Sequence, residues 1–218
     1  MKTVVVTGGM SGLGAAIANR LRADNYQVVT WDIDDSADIH CNVADYSSVD
    51  RAVRTTRERF GEIDALVNNA GTYISGELAS NDPARIASVI NVNLLGTINC
   101  SRAIVGEMTA RRDGIIVNIS SDGGLEHRPN RSAYYASKWG VTGFSKCLAD
   151  DLRKHNVRVT AIFPGLMNTK LFNSANAERD LTGALDPTEV AGLVSYVLAT
   201  PPNIWLPEVR IRNINQPS

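Results

Sequence analysis

The run Val4-Val5-Val6-Thr7-Gly8-Gly9-Met10-Ser11-Gly12-Leu13-Gly14-Ala15-Ala16-Ile17 decides the fold. Three successive valines read as a strand buried on both faces. Leu13, Ala16, Ile17 and Leu21 then recur at helical spacing, so a helix is expected over residues 12–24. A tight turn between them requires glycine at Gly8, and close approach of an anion requires the absence of a Cβ near Gly12. Close helix-to-sheet packing favours Gly14. The helix N-terminus offers free N–H groups and a positive dipole end to a pyrophosphate. Gly8, Met10, Ser11, Gly12, Leu13 and Gly14 are therefore candidate dinucleotide-binding residues.

The alternation of strand and helix continues to the end of the chain. Residues 26–31 and 37–43 read as the second and third strands, and residues 46–60 as a helix with Ser47 or Ser48 as its cap. A strand at 63–67 precedes one long helix from about 83 to 111, with Pro83 in its first turn. A strand at 115–120, a helix at 132–155 and a strand at 157–163 follow, then a helix at 187–200 and a last strand at 209–211. Near-continuous Val/Ile strands alternating with helices argue an α/β fold, a Rossmann-type doubly wound parallel sheet with helices on both faces. No repeat or linker interrupts residues 1–218, so one domain is expected, with a short substrate lid near 166–186.

Of 218 residues, 44% are hydrophobic and 21% charged, and the net charge is −1. That balance lacks the basic footprint of a nucleic-acid or acidic-membrane partner. No window reaches the ~18 apolar residues of a membrane span. Cys41, Cys100 and Cys147 are odd in number and widely spaced, which reads as reduced, buried thiols in a cytoplasmic protein with no metal site.

Asp32 ends the second strand, where a carboxylate accepts hydrogen bonds from ribose hydroxyls and repels a 2′-phosphate. Asp34 and Asp35 add negative charge, and neither Arg nor Lys stands in the glycine turn or just after Asp32. NAD is therefore expected over NADP. Further motifs follow in order: Asn68-Asn69-Ala70-Gly71, Asn93 within Asn91-Val92-Asn93-Leu94-Leu95-Gly96, Ser121, Tyr134-x-x-x-Lys138, and Pro164-Gly165. With the Thr7-Gly8-x-x-x-Gly12-x-Gly14 turn, the chain resembles the short-chain dehydrogenase/reductase family over nearly its whole length. Where the family usually shows an acid after the third strand, this chain has Asn42-Val43, whose amide carbonyl still accepts from an adenine amino group.

The resemblance implies an NAD(P)-dependent oxidoreductase acting on the CH–OH group of a small alcohol or on the matching carbonyl, and a homodimer or homotetramer. It adds Asn69, Ala70, Gly71, Pro164, Gly165, Met167 and Thr169 to the cofactor-binding residues, with Tyr134 and Lys138 serving cofactor and chemistry together. Thr169 bonds the carboxamide or the pyrophosphate, and Leu166, Met167, Leu171 and Phe172 give the lid an apolar inner face. The implied catalytic set is Asn93, Ser121, Tyr134 and Lys138, with Asn93 holding a water in a proton relay.

Tyr134 and Lys138 are four apart, hence on one face of a helix. A free tyrosine titrates near ~10, and an ammonium ~4 Å away contributes roughly 4 kcal/mol at an effective dielectric of 20, about three pKa units. Ser121 stands thirteen residues before Tyr134, with Ser120 its rival. Tyr135 competes with Tyr134 but reads as a packing residue. His127 and Arg128 read as solvated loop residues. Two other functions share the fold: a nucleotide-sensing regulator without turnover, and a sugar-nucleotide epimerase or dehydratase, whose larger C-terminal domain has no room here. The connection from Asp32 to Asn42 is too short for a helix, and the C-terminus lacks the Gly-rich strand end of many relatives.

Overall fold

The structure, a computed structural model, describes residues 1–169, 171 and 181–216. Strand β1 (Thr3–Thr7) is wholly buried and pairs in parallel with β2 (Gln27–Asp32) and β4 (Ala65–Asn68). With β3 (Ile39–His40), β5 (Gly114–Ile119), β6 (Val157–Pro164) and β7 (Glu208–Ile211) they form one parallel sheet in the order β3-β2-β1-β4-β5-β6-β7. The winding reverses between β1 and β4, so the loops leaving their carboxyl ends diverge and open a crevice.

Side-chain alternation builds a core on each face. Val4 and Val6 of β1 pack with Leu13, Ile17 and Leu21 of α1 (Gly12–Ala23) and with Val190 and Val194 of α6 (Pro187–Ala199). Val5 points the other way, into a core with Val49 and Val53 of α2 (Tyr46–Phe60). Ile104 and Met108 of α4 (Gly96–Arg111) and Leu152 of α5 (Ser132–Arg153) complete that second core. No helix among the described residues is long and apolar enough to cross a membrane.

Three expectations are corrected. The long helix over 83–111 is α3 (Pro83–Ile90) and α4 joined by a π-helical turn, Asn91–Leu95. That wide turn swings Asn93 inward, to 1% exposure, where hydrogen bonds offset its poorer backbone geometry. The third strand is two residues long instead of seven. Asp38 spends its carboxylate on Thr30 N and Oγ1, at 2.9 and 2.8 Å, and β2 ends opposite His40. The cap of α2 is Asp45, which accepts from Ser47 N at 2.9 Å, while Ser48 Oγ accepts from Asn42 N.

A Cβ at Gly14 would lie 1.9 Å from the backbone oxygen of Gly8. Backbone cannot yield as a flexible side chain does, so Gly14→Ala is expected to cost about 3 kcal/mol, at the upper end for overpacking. Asp45→Ala removes only a helix cap and is expected to cost about 1 kcal/mol. Urea unfolding of the two variants checks the ranking, and a milder Gly14→Ala contradicts it.

Candidate active site

A cavity of about 610 Å³ opens at the carboxyl ends of β1, β4, β5 and β6. Its walls include Gly8, Ser11, Gly12, Leu13, Asp32, Asn42, Val43, Asn69, Ala70 and Gly71. Ser121, Tyr134, Lys138, Pro164, Gly165, Met167 and Thr169 line the remainder. Among the expected residues, Met10, Gly14 and Asn93 stand outside the lining. Met10 instead donates its amide to Asp32 Oδ2 at 3.0 Å, and Gly14 seats α1 against the turn.

The glycine turn is held from two sides. Gly8 and Gly12 adopt φ of +64° and +50°, the left-handed region that favours glycine. Thr7 Oγ1 accepts from the amides of Asn69 and Ala70, both at 3.0 Å, and Asn69 Nδ2 donates back to Thr7 O and Gly8 O. Ser11 caps α1 without a side-chain hydrogen bond, so its hydroxyl does not compete with an incoming anion for the first amides of the helix.

Asp32 Oδ1 accepts from Asp34 N at 3.2 Å, which fixes the carboxylate at the cavity edge. Asn42 Oδ1 accepts from Ala44 N, leaving one lone pair for an outside donor. Across the cavity, Thr169 Oγ1 is buried and, among the described residues, has no hydrogen-bond partner. A buried orphan hydroxyl on the cavity wall is what a bound amide or phosphate oxygen would satisfy, so the residues present fit a nicotinamide dinucleotide.

At the other end of the cavity, α5 crosses the exit of β5. Tyr134 is buried, with its ring edge-on to Tyr73 at 4.8 Å between centroids. Lys138 Nζ sits 5.9 Å from the Tyr134 ring centre and donates to Ile119 O at 2.9 Å. Burial pulls the Lys138 ammonium down to about 8. It is thus a far more readily discharged cation than a solvated lysine.

The two serines part company here. Ser120 Oγ donates to Lys138 O at 3.1 Å and lies 3.3 Å from Thr142 Oγ1, so it is committed to α5. Ser121 Oγ accepts from Gly123 N at 3.0 Å, and that bond does not use its own proton. Tyr135 packs on Gly123, where a Cβ would meet its ring at 2.8 Å.

Asn93 is a clamp. Its Oδ1 accepts from Thr72 N at 2.8 Å, and its Nδ2 donates to Thr72 O and Ser137 Oγ, both at 3.0 Å. It thereby pins the loop after Gly71 to α5, behind the cavity wall. Trp31, Ile33, Cys41, Thr72, Val92 and Ile119 also line the cavity and were missed in the sequence. Several sit one residue from a motif, and strand ends at this edge were the available signal. Burial pushes the Cys41 thiol up to about 11, so it stays protonated; Cys100 is buried as expected, whereas Cys147 is exposed. Met167 and Leu171 line the cavity as expected of the lid, Leu166 does not, and Lys170 and residues 172–180, including Phe172, lie outside the described residues.

Residues 2–180 match the short chain dehydrogenase family. An uncharacterized oxidoreductase of Staphylococcus saprophyticus is 33% identical over 98% of this chain and 97% of its own length. A 3-oxoacyl-(acyl-carrier-protein) reductase of Mycobacterium tuberculosis is 33% identical over 90% of this chain and 85% of its own. Among solved structures, an alcohol dehydrogenase of the archaeon Thermococcus sibiricus complexed with 5-hydroxy-NADP superposes with a TM-score of 0.90. It is 25% identical, covering 100% of this chain and 99% of that one. Levodione reductase superposes at 0.87, with 27% identity over 97% and 96%. With its glycine turn, seven parallel strands and Tyr134–Lys138 pair in one cavity, this chain belongs to the short-chain dehydrogenase/reductase family of NAD(P)-dependent oxidoreductases.

Proposed function

We propose that the protein interconverts a secondary alcohol and a carbonyl compound with NAD(H), using Tyr134 as the acid and base. The observation that carries this reading is the convergence of Ser121, Tyr134 and Lys138 on the cavity that also holds the glycine turn and the orphan Thr169 hydroxyl. The nicotinamide, when bound, accepts or supplies the hydride. Tyr134 gives its proton to the carbonyl oxygen in reduction and takes it back in oxidation. Ser121 donates a hydrogen bond to the same oxygen as negative charge develops there. Lys138, while charged, favours the phenolate of Tyr134. A nucleotide sensor needs only the cofactor half of the cavity, so it leaves the serine, tyrosine and lysine unexplained.

A panel of cyclohexanone, 1,2-cyclohexanedione and ethyl acetoacetate, followed by NADH absorbance, tests the activity, and silence across ketones and alcohols with either cofactor overturns it. Tyr134→Phe is expected to lose ~10²–10⁴-fold in turnover, the usual share of a positioned acid or base, while NADH binding stays nearly intact. Tyr135→Phe should stay near full activity. A dead Tyr135→Phe beside an active Tyr134→Phe would falsify the assignment.

Asp32 supports the preference for NAD, because its fixed carboxylate would face a 2′-phosphate with no Arg or Lys in the adjoining turn. Calorimetry should show tighter binding of NADH than NADPH, and the double change Asp32→Ala with Ile33→Arg should reverse the order. Tighter NADPH binding by the unmodified protein contradicts this.

Burial of Lys138 has a stability signature. Its folded pKa of about 8 lies below the ordinary 10.5, so the penalty for the buried charge is complete below pH 8 and fades between about 8 and 10.5. Removing that charge in Lys138→Met gains about 3 kcal/mol at pH 7 and forfeits about 1 to 2 from the unpaired Ile119 carbonyl. The variant should be the more stable protein at pH 7 and lose that advantage by pH 10.5, though inactive at both. Denaturant midpoints that part further as the pH rises contradict the sign.

Leu95 and Trp139 are 40% and 52% exposed at the π-helical turn and on α5. We assign them to a contact with a second copy in a dimer or tetramer. Light scattering that returns a monomer mass at micromolar concentration argues against it.

A further inference from the structure

One charged cluster outside the cavity has no part in the chemistry above, and it joins the end of the chain to the loop that carries Ser121. Arg210 and Arg212 are two apart, so both side chains leave the same face of β7 and its extension. They converge on Asp122, the residue after Ser121. Arg210 Nε lies 2.9 Å from Asp122 Oδ1, and Arg212 Nε lies 3.3 Å from Oδ2. Both guanidinium groups also reach Glu126 Oε1, and Arg210 holds the Glu126 carboxyl below the usual carboxylate range. Gln216 Nε2 is 3.4 Å from Asp122 Oδ2, while its Oε1 accepts from the Leu166 amide at 2.9 Å.

These contacts bear on the serine directly. Ser121 Oγ is the cap of the short 3-10 turn Asp122–Gly124, and the amides of Leu125 and Glu126 both return to Asp122 O at 2.9 Å. A three-residue 3-10 turn has poor hydrogen-bond geometry and holds little by itself. The Asp122 side chain is only 12% exposed, so its ion pairs escape most of the screening that weakens surface pairs. The same tail is packed onto the next loop. A Cβ on Gly165 would fall 2.1 Å from Gln216 Oε1, and Gly165 N donates to Ile211 O at 2.9 Å.

We infer that Asp122, clamped by Arg210 and Arg212, is a positioning residue for the Ser121 hydroxyl, and that residues 210–216 tie the serine loop and the Gly165–Leu166 turn into one wall. The inference rests on the proposed role of Ser121 at the substrate oxygen. Asp122→Asn keeps the volume, removes the charge and turns an amide toward an arginine. Turnover with the fastest ketone of the panel should fall about 10-fold or more, since a misplacement of ~1 Å costs up to ~10²-fold, with KM for NADH within about two-fold. In a Ser121→Ala background the same change should cost nothing further, because the two residues act as a unit.

Amide hydrogen exchange reads the clamp without any substrate. The Gly123 and Leu166 amides should exchange about 10-fold faster in Asp122→Asn, while Leu66 in β4 keeps its protection. Gln216→Ala, a change confined to the tail, should release Leu166 alone and serves if Asp122→Asn fails to fold. An equal loss of turnover in both serine backgrounds, unchanged turnover in Asp122→Asn, or unchanged exchange at the amide each variant is expected to release overturns the positioning role. Full activity of Ser121→Ala, or no turnover across the panel, defeats the catalytic reading and the positioning role with it.

Discussion

Thr7 holds the crevice together. The sheet reverses its winding between β1 and β4, so at this one place two neighbouring strands send their chains in opposite directions. Backbone amides that would pair with a continuing strand are left without partners, and in a buried setting each orphan costs about 1–3 kcal/mol. The Thr7 hydroxyl takes two of them, from Asn69 and Ala70, and the Asn69 amide answers the open carbonyls of Thr7 and Gly8. Four hydrogen bonds among adjoining residues thus keep the cleft open while satisfying its floor. The positive φ of Gly8, the close seat of Gly14 and the orientation of α1 toward the cavity all follow from that fixed floor.

Much of this was legible in the sequence, for reasons of distance along the chain. The strand–turn–helix at residues 3–23 is local: period, glycines and helix start lie within one short run. The Tyr134–Lys138 pair is local too, four residues on one helix face. Asn93 could be named, yet its partners could not, because Thr72 and Ser137 are 21 and 44 residues away. The arginines on Asp122 are 88 and 90 positions from it, and nothing in a one-dimensional pattern announces such a meeting. The over-long third strand erred differently. Apolar Ile39, Cys41 and Val43 alternate as a strand should, but β2 ends at Asp32 and offers no edge to pair with. The π-helical turn was invisible because helical period alone does not register one extra residue.

The cavity asks the fold to bury polar groups, and the cost sets where they are placed. Lys138 is the extreme case, a cation held low by desolvation with Ile119 O as its anchor. Around it Ser120, at the exit of β5, donates its hydroxyl to Lys138 O, while Thr142 and Ser137 of α5 return theirs to Lys138 O and Tyr134 O of their own helix. Such back-bonding is neutral or mildly unfavourable to a helix. Here it engages the hydroxyls that stand beside Tyr134 and Lys138, leaving Ser121 at the cavity as the serine whose proton is not drawn into α5.

Apolar contact alone fixes α5 weakly along its axis, because beyond Lys138 its buried face is mostly small residues, Val141, Thr142, Ser145 and Ala149, that repeat along the helix. A buried polar ladder supplies the missing register. Asn68 and Asn118 face each other across β4 and β5, joined by Nδ2 of the first and Oδ1 of the second at 2.8 Å. From there Asn68 reaches Ser101 of α4 at 3.0 Å, and Asn118 reaches Ser145 of α5 at 2.9 Å. Sliding α4 by one residue would take Ser101 from the Asn68 amide, and sliding α5 would take Ser145 from the Asn118 amide; a partner lost in the core costs more than the hydrogen bond gains in place. Ser145 lies two helical turns beyond Lys138, so the register it fixes is the register of Tyr134 and Lys138 at the cavity. The placement of the helix that carries Tyr134 and Lys138 is thus set at the centre of the sheet, by two asparagines outside the cavity lining.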